Sequence, residues 1–196
     1  PGAGLPQGDD ESMTAELKGY ENAFEELVNK LLAIDPNSVS ENNIAAVCKL
    51  CIEKGKIEQA GGVVDRFLQH FPDSTTAMYY KKVLADPAAG KLSAEKLDEM
   101  QESVFLDLTD PVRRAVNLGL FYQKKNKLQK AAEEFEKVFA DSLKADKESK
   151  WLSAINLSGI AIATKDSKLA ERMADFGRRD NLDECGGKFY AAVAAV

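Results

Sequence analysis

The sequence predicts an all-α protein built from antiparallel helical hairpins, and three observations carry this prediction. Segments of about 11 to 20 residues place apolar side chains at steps of three and four, which is the period of an amphipathic helix. Turn-forming residues separate the segments, for example at Gly55, Pro72, Pro87, Pro111 and Asn126. The few β-branched pairs lie inside helical periodicity. Short loops between helices of this length favour antiparallel neighbours.

The N-terminal part divides into a lead-in and one helix. Residues 1–11 mix Pro, Gly and acidic residues with Leu5 as the only large apolar residue, so we predict a disordered lead-in. From residue 12 onward apolar residues recur at helical spacing, and the helix is predicted to end at the Asp35-Pro36 turn. Its apolar positions are Leu17, Tyr20, Phe24, Leu27, Val28, Leu31 and Leu32.

A repeated pattern is clearest around residue 120. It consists of an Asn117-Leu118-Gly119 triplet, Tyr122 three residues later, Ala131 after a short polar turn, and then Phe135 and Val138. The glycine would let two helices approach closely, the tyrosine would fill the gap beside it, and the alanine would mark their crossing. The last two residues are expected to face the next repeat. This pattern resembles the tetratricopeptide repeat, a helical hairpin of about 34 residues.

Further copies extend the resemblance along the chain. Residues 41–74 place apolar side chains at the first-helix core sites (Ile44, Val47, Cys48 and Cys51), and residues 112–145 hold the unit described above. Residues 151–184 form another copy, with Ser158 at the glycine position and Ala161 at the tyrosine position. Residues 75–111 have the length of a degenerate unit, in which Lys81 and Lys82 replace an apolar and a small residue.

The resemblance implies a right-handed superhelix of antiparallel helical hairpins, a TPR-like α-solenoid with a concave groove. It also implies a single domain over residues 12–196. In this reading, residues 12–38 form an N-terminal cap helix that corresponds to a second helix without its first. Residues 185–196 form a C-terminal capping segment.

The resemblance also suggests which residues line the groove. Asn117 and Asn156 occupy the position at which peptide-binding members hydrogen-bond the backbone of an extended ligand, although asparagine is also simply common there. Tyr80 is the equivalent residue of the degenerate unit, and Tyr79 beside it would offer an aromatic wall. Four more side chains are expected to reach a groove: Lys49, Arg113, Gln123 and Lys124. The ordered basic set that holds a terminal carboxylate in some members is not visible.

The Cys48-Lys49-Leu50-Cys51 segment is the main reason to consider another function. Its C-x-x-C spacing would suit a redox pair or half of a zinc site. The chain has one histidine, His70, and its third cysteine, Cys185, is far away in sequence. Because the segment lies inside a predicted helix on its buried face, packing is the favoured interpretation. A thiol-active or chaperone-linked protein that uses the two cysteines as a redox pair remains the alternative.

Composition narrows the remaining function classes. The formal net charge of -6 argues against a nucleic-acid partner, and the lysines near residue 125 are followed closely by glutamates. No run of about 18 apolar residues predicts a membrane span. No catalytic motif, metal-ligand set or cofactor motif can be recognised, so we expect no enzyme activity, metal or cofactor.

The sequence therefore predicts a non-catalytic scaffold that binds a protein or peptide. Its partner would be a peptide or a helix held in the groove, within a larger assembly in one version of the hypothesis. The apolar segment from Phe189 to Val196 is expected either to cover the last repeat or to mediate self-association. Because residue 1 is Pro1, we expect the chain to have been processed or cut from a longer one. A cytoplasmic location is favoured over a periplasmic or other extracytoplasmic one.

Overall fold

The computed structural model describes residues 40–180 continuously, and residues 18–20, 22–23, 26, 28–30 and 33 before them. Every regular element within this part of the chain is helical, which confirms the all-α prediction. The described residues fall into two compact units, one up to Met100 and one from Gln101, and each is described by itself. The helices with defined bounds are α1 (Glu41–Glu53), α2 (Ile57–His70), α3 (Thr75–Ala85), α4 (Ala94–Leu106), α5 (Pro111–Lys124), α6 (Leu128–Lys137), α7 (Lys147–Thr164) and α8 (Ser167–Asp180).

The first unit packs α1, α2 and α3 around one apolar core. Each of the first two helices contributes four buried residues: Ile44, Val47, Cys48, Cys51, Ala60, Val63, Val64 and Phe67. The described residues between 18 and 33 are helical, and Val28 joins the same core with 2% of its surface exposed. Tyr20, predicted to lie on the apolar face of that helix, is 75% exposed.

Helix α1 is tied to the start of α3 by one carboxylate. Ser40 and Ser74 cap the two helices, because each side chain accepts a hydrogen bond from a backbone N–H of the first turn. The Ser74 hydroxyl also donates to Glu41 at 2.5 Å, and Thr76 donates to the second oxygen of the same carboxylate at 3.2 Å. A negative charge at a helix N-terminus is favourable, so this contact stabilises the position of α3 against α1.

The second unit contains α5 to α8, and each helix packs against the next along the chain. Its core is rich in aromatic and small residues at the faces that the repeat pattern singled out. The buried apolar side chains of these four helices are Ala115, Leu118, Phe121, Tyr122, Ala131, Ala132, Phe135, Ala154, Leu157, Ile160, Ala161, Leu169, Ala170 and Met173.

Three hairpin turns have the same geometry. Gly55, Asn126 and Lys165 all adopt positive φ, between 54° and 68°. In each turn the N–H of the following residue donates to a carbonyl five residues earlier, at 2.8, 2.8 and 3.0 Å. This bond satisfies a carbonyl that the end of the helix would leave unpaired. Each turn residue lies five positions before a buried alanine: Ala60, Ala131 and Ala170.

Small residues also recur where the paired helices come close. Gly119, Cys48 and Ser158 each lie twelve positions before one of those buried alanines. At Gly119 an added Cβ atom would lie 2.6 Å from the Phe135 ring, which confirms the predicted close approach of two helices. Phe135, predicted to face the next repeat, thus lies against the glycine of its own hairpin. Cys48 is fully buried and Ser158 is 2% exposed, so these two small residues also lie in the core.

The last described helix, α8, is fixed by contacts near its C-terminal end. The rings of Phe176 and Phe139 stack at 4.4 Å between centroids with an interplanar angle of 3°. Arg179 donates to the backbone carbonyl of Phe139 at 2.6 Å, and its guanidinium lies over the Phe176 ring. Asp180 pairs with Lys150 at the start of α7. Burial opposes ionisation of Asp180, but hydrogen bonds from Lys150 and Arg179 outweigh it and lower the pKa of this carboxyl.

The link between α3 and α4 differs from the three similar turns. Residues 86–93 join the two helices through a short 3-10 helix, Ala89–Lys91, and α3 ends at Asp86 in an extended conformation. The predicted degenerate unit thus has two helices, as expected, but lacks the shared turn. The predicted lead-in over residues 1–11 and capping segment over 185–196 lie outside the described residues.

Candidate functional site

A pocket in the first unit brings together three of the residues that the sequence singled out. It has a volume of about 330 Å³, and Lys49, Tyr79 and Tyr80 all line it. Helices α1 and α3 form two of its sides, while the 3-10 helix and the start of α4 form the rest. The other lining residues are mostly apolar: Ile52, Glu53, Val83, Ala89, Gly90, Leu92 and Leu97. Its volume lies in the range of about 300–1,000 Å³ that is usual for ligand sites.

The two tyrosines have different surroundings. Their rings meet edge to face, with centroids 5.1 Å apart, and both side chains are half-buried. Tyr80 packs against the core of the unit, and burial near Cys48 and Tyr79 raises its pKa. Burial raises the pKa of Tyr79 as well, and the charge of Asp98 adds to this effect. Both hydroxyls therefore stay protonated and can donate hydrogen bonds to a ligand at neutral pH.

The mouth of the pocket carries two opposite charges on α1. Lys49 and Glu53 are exposed, one helical turn apart, and the described residues offer neither of them an ion-pair partner. An ammonium and a carboxylate beside an apolar cavity can bind the polar groups that flank an apolar side chain. The arrangement suits a peptide, because its backbone presents carbonyl groups that an ammonium can bind and N–H groups that a carboxylate can bind.

In the second unit the two predicted asparagines have matched geometry. The Nδ2 atoms of Asn117 and Asn156 each donate to the carbonyl four residues earlier, on Arg113 and Leu152, at 2.8 Å in both cases. Both side chains are half-buried. These bonds fix the orientation of each amide, and no described residue provides a partner for either Oδ1 atom. Each asparagine thus offers a positioned acceptor and a second N–H.

Exposed apolar residues lie on the same two helices as the asparagines. Leu120 on α5 is 39% exposed, and Trp151 and Ile162 on α7 are 37% and 46% exposed. On α7 the spacing of Trp151, Ile155, Gly159 and Ile162 places them along one side of the helix. On α5, Arg113 and Gln123 are half-buried and Lys124 is exposed, so the remaining predicted residues lie on the helix that carries Asn117.

Cys48 and Cys51 are free thiols with no exposed surface. Burial, reinforced by the neighbouring Cys51, raises the pKa of Cys48 to about 12, and burial raises the pKa of Cys51. Because the thiolate is the reactive form, both cysteines stay protonated and are poorly reactive at neutral pH. Within residues 40–180 and the described positions before them, no group of three or more His, Cys, Asp or Glu residues could hold a metal ion.

A thiol titration distinguishes packing from redox chemistry. In a Cys185→Ser variant only Cys48 and Cys51 can react, and we expect a disulfide reagent at pH 8 to label both far more slowly than a small free thiol. In denaturant both should be labelled at once, because burial and the raised pKa are then lost. Prompt labelling of both thiols in native buffer would favour the redox alternative.

The fold and these surfaces define the class of the protein. It is an all-helical protein in which three hairpins share one turn geometry, and none of its described helices is long and apolar enough to cross a membrane. Comparison of the chain with protein-family models, with curated proteins and with solved structures gives no match. The function must therefore be inferred from the geometry of the chain itself.

Proposed function

We propose that the chain is a non-catalytic interaction module of the tetratricopeptide type, which binds a peptide or a partner helix. One observation carries the proposal: Lys49 and the pair Tyr79 and Tyr80, singled out on separate helices, line one pocket of about 330 Å³. That pocket combines apolar walls with an ammonium, a carboxylate and two phenol groups. A binding site for a peptide needs this combination of an apolar cavity and a few positioned polar groups.

The matched asparagines give the proposal independent support. They lie 39 residues apart, at corresponding positions of the units over residues 112–145 and 151–184, and both amides are held by the same backbone contact. Two acceptors fixed in this way, on helices that also expose Leu120 and Ile162, suit an extended backbone with apolar side chains. Exposed apolar surface next to polar groups is typical of interaction surfaces.

The recurrent hairpin geometry supports the tetratricopeptide-like superhelix. The shared positive-φ turns at Gly55, Asn126 and Lys165 and the buried alanines five residues later are what a repeated unit requires. The burial of Cys48 and Cys51 argues for packing rather than for the redox alternative. Both cysteines occupy positions that correspond to Gly119 and Tyr122 in the clearest unit.

The proposal is tested by selecting peptides and then mapping where they bind. A displayed library of random twelve-residue peptides is panned against the immobilised chain, and the affinity of a selected peptide is measured by calorimetry. We expect about tenfold weaker binding for Tyr79→Ala and for Lys49→Ala, because each removes a contact worth about 1.4 kcal/mol. The Asn117→Ala/Asn156→Ala double variant should weaken peptides that bind in the second unit.

Lys168→Ala provides the matched control, since Lys168 is an exposed lysine of α8 and lines neither surface. Its affinity should equal that of the wild type. Circular dichroism of each variant checks that helicity is retained. A library without binders, or a peptide that none of these variants weakens, would refute the proposal.

A further inference from the structure

The second unit contains another pocket, which none of the predicted site residues lines. Its volume is about 430 Å³, and it lies between the end of α4, the first turns of α5, the end of α6 and the 3-10 helix Asp141–Leu143. Most of its wall is apolar and includes Leu106, Ala115, Leu118 and Leu143. Leu118 is 2% exposed and Leu106 is 51% exposed, so the pocket runs from the core to the surface.

Two cationic side chains line this pocket, and they differ in whether a carboxylate pairs with them. Arg114 is half-buried in its wall and has no ion-pair partner within residues 40–180. Lys137 also lines the pocket but is paired with Glu134 at 2.6 Å. The guanidinium of Arg114 is therefore the uncompensated charge. A local positive charge can attract an acidic partner even in a chain whose formal net charge is -6.

The pocket is separate from the surface around the asparagines. On α5 the pocket is lined by residues that include Pro111, Arg114 and Leu118, which follow one another at steps of three and four. Asn117 and Leu120 lie on a neighbouring side of the same helix. A ligand in this pocket would therefore bind a different part of the unit, and its binding does not depend on the function proposed above.

We propose that this pocket binds an acidic peptide segment of a partner protein, which inserts one large apolar side chain. The volume and apolar wall fit a leucine or phenylalanine side chain with part of its flanking backbone. The unpaired Arg114 fits a carboxylate beside that side chain, since a guanidinium can bind it through two parallel hydrogen bonds. A half-buried cation without a partner favours an anion there, because the apolar surroundings weaken screening by water.

The proposal is tested with defined probe peptides and the full chain. The first probe is a capped hexapeptide in which one phenylalanine is flanked by aspartates, and its binding is followed by two-dimensional NMR of the nitrogen-15-labelled protein. We expect the amide signals of Ala115, Leu118 and Leu143 to shift. A peptide with lysines in place of the aspartates, and one with serine in place of the phenylalanine, should each bind at least tenfold more weakly.

Variants then assign the contact to this pocket. Arg114→Gln should weaken the acidic probe about tenfold, whereas Lys168→Gln on the surface of α8 should leave its affinity unchanged. Ala140→Phe should also weaken binding, because a large side chain at an exposed wall position fills the pocket. Three results would overturn the proposal: equal binding of the lysine peptide, wild-type affinity of Arg114→Gln, or loss of binding in the Asn117→Ala/Asn156→Ala variant alone.

Discussion

Replacing Gly119 by alanine is expected to destabilise the protein, although alanine is the better helix former. The new methyl carbon would lie 2.6 Å from a ring carbon of Phe135, which is fully buried and has no room to move away. Overpacking of this kind costs up to about 3 kcal/mol, and the gain in helix propensity offsets about 1 kcal/mol of it. We expect the free energy of unfolding to fall by about 1–2 kcal/mol.

The chain contains a matched control for this substitution. Gly159 lies inside α7, is exposed, and would give an added Cβ atom nothing within 4 Å. Gly159→Ala should therefore raise the free energy of unfolding by about 0.5–1 kcal/mol. Urea denaturation followed by circular dichroism measures both variants. If Gly119→Ala also stabilised the protein, the two helices could not approach as closely as described.

A double-mutant cycle tests whether the Phe135 ring is the cause. Phe135→Leu removes the edge of the ring that the new methyl group meets. The leucine substitution should therefore cost less in the Gly119→Ala background than in the wild type. Simple additivity of the two effects would place the strain elsewhere.

Replacing Phe139 by alanine is expected to have a still larger effect, a loss of about 3–5 kcal/mol. Phe139 is 2% exposed, and its ring stacks on Phe176 of the last helix at 4.4 Å between centroids. Truncation leaves a cavity and removes the stacking partner of Phe176. The hydrogen bond from Arg179 to the Phe139 carbonyl does not compensate, because it uses a backbone atom that is present in both the wild type and the variant.

Thermal unfolding measures this effect for the whole chain, and amide hydrogen exchange measures it for the helix alone. We expect a lower melting temperature for Phe139→Ala and faster exchange throughout α8 (Ser167–Asp180). Ile162→Ala serves as the comparison, because Ile162 is 46% exposed and its truncation should cost less than about 1 kcal/mol. Equal losses for the two variants would show that the Phe139 contact contributes little.

The parts of the fold that could be predicted well from the sequence depend on the spacing of residues within a single hairpin. Gly119, Ala131 and the turn at Asn126 lie within one hairpin, so their spacing along the chain already determines which helix faces meet. The same local rule identified the turns near Gly55 and Lys165. These positions need no information from distant residues.

The degenerate unit shows why the rest could not be predicted. The repeat pattern put Lys81 at a core position, but Tyr80 packs on the core while Lys81 is exposed and pairs with Asp65 of α2 at 3.1 Å. Burial of Ala77 and Val83, which neighbouring helices cover, sets this orientation. The sequence pattern did not predict the pocket near Arg114 for a similar reason. Its wall includes a 3-10 helix, and a short helix of this kind has no periodic apolar pattern.

The shared turns also have a consequence for how the chain folds during synthesis. Each turn closes with a bond between residues five apart, and each joins two helices that pack directly on one another. Contacts that are near in sequence form quickly, since little chain entropy is lost in closing them. A hairpin such as that around Gly55 can therefore assemble as soon as it leaves the ribosome, before the residues of later hairpins have been joined to the chain.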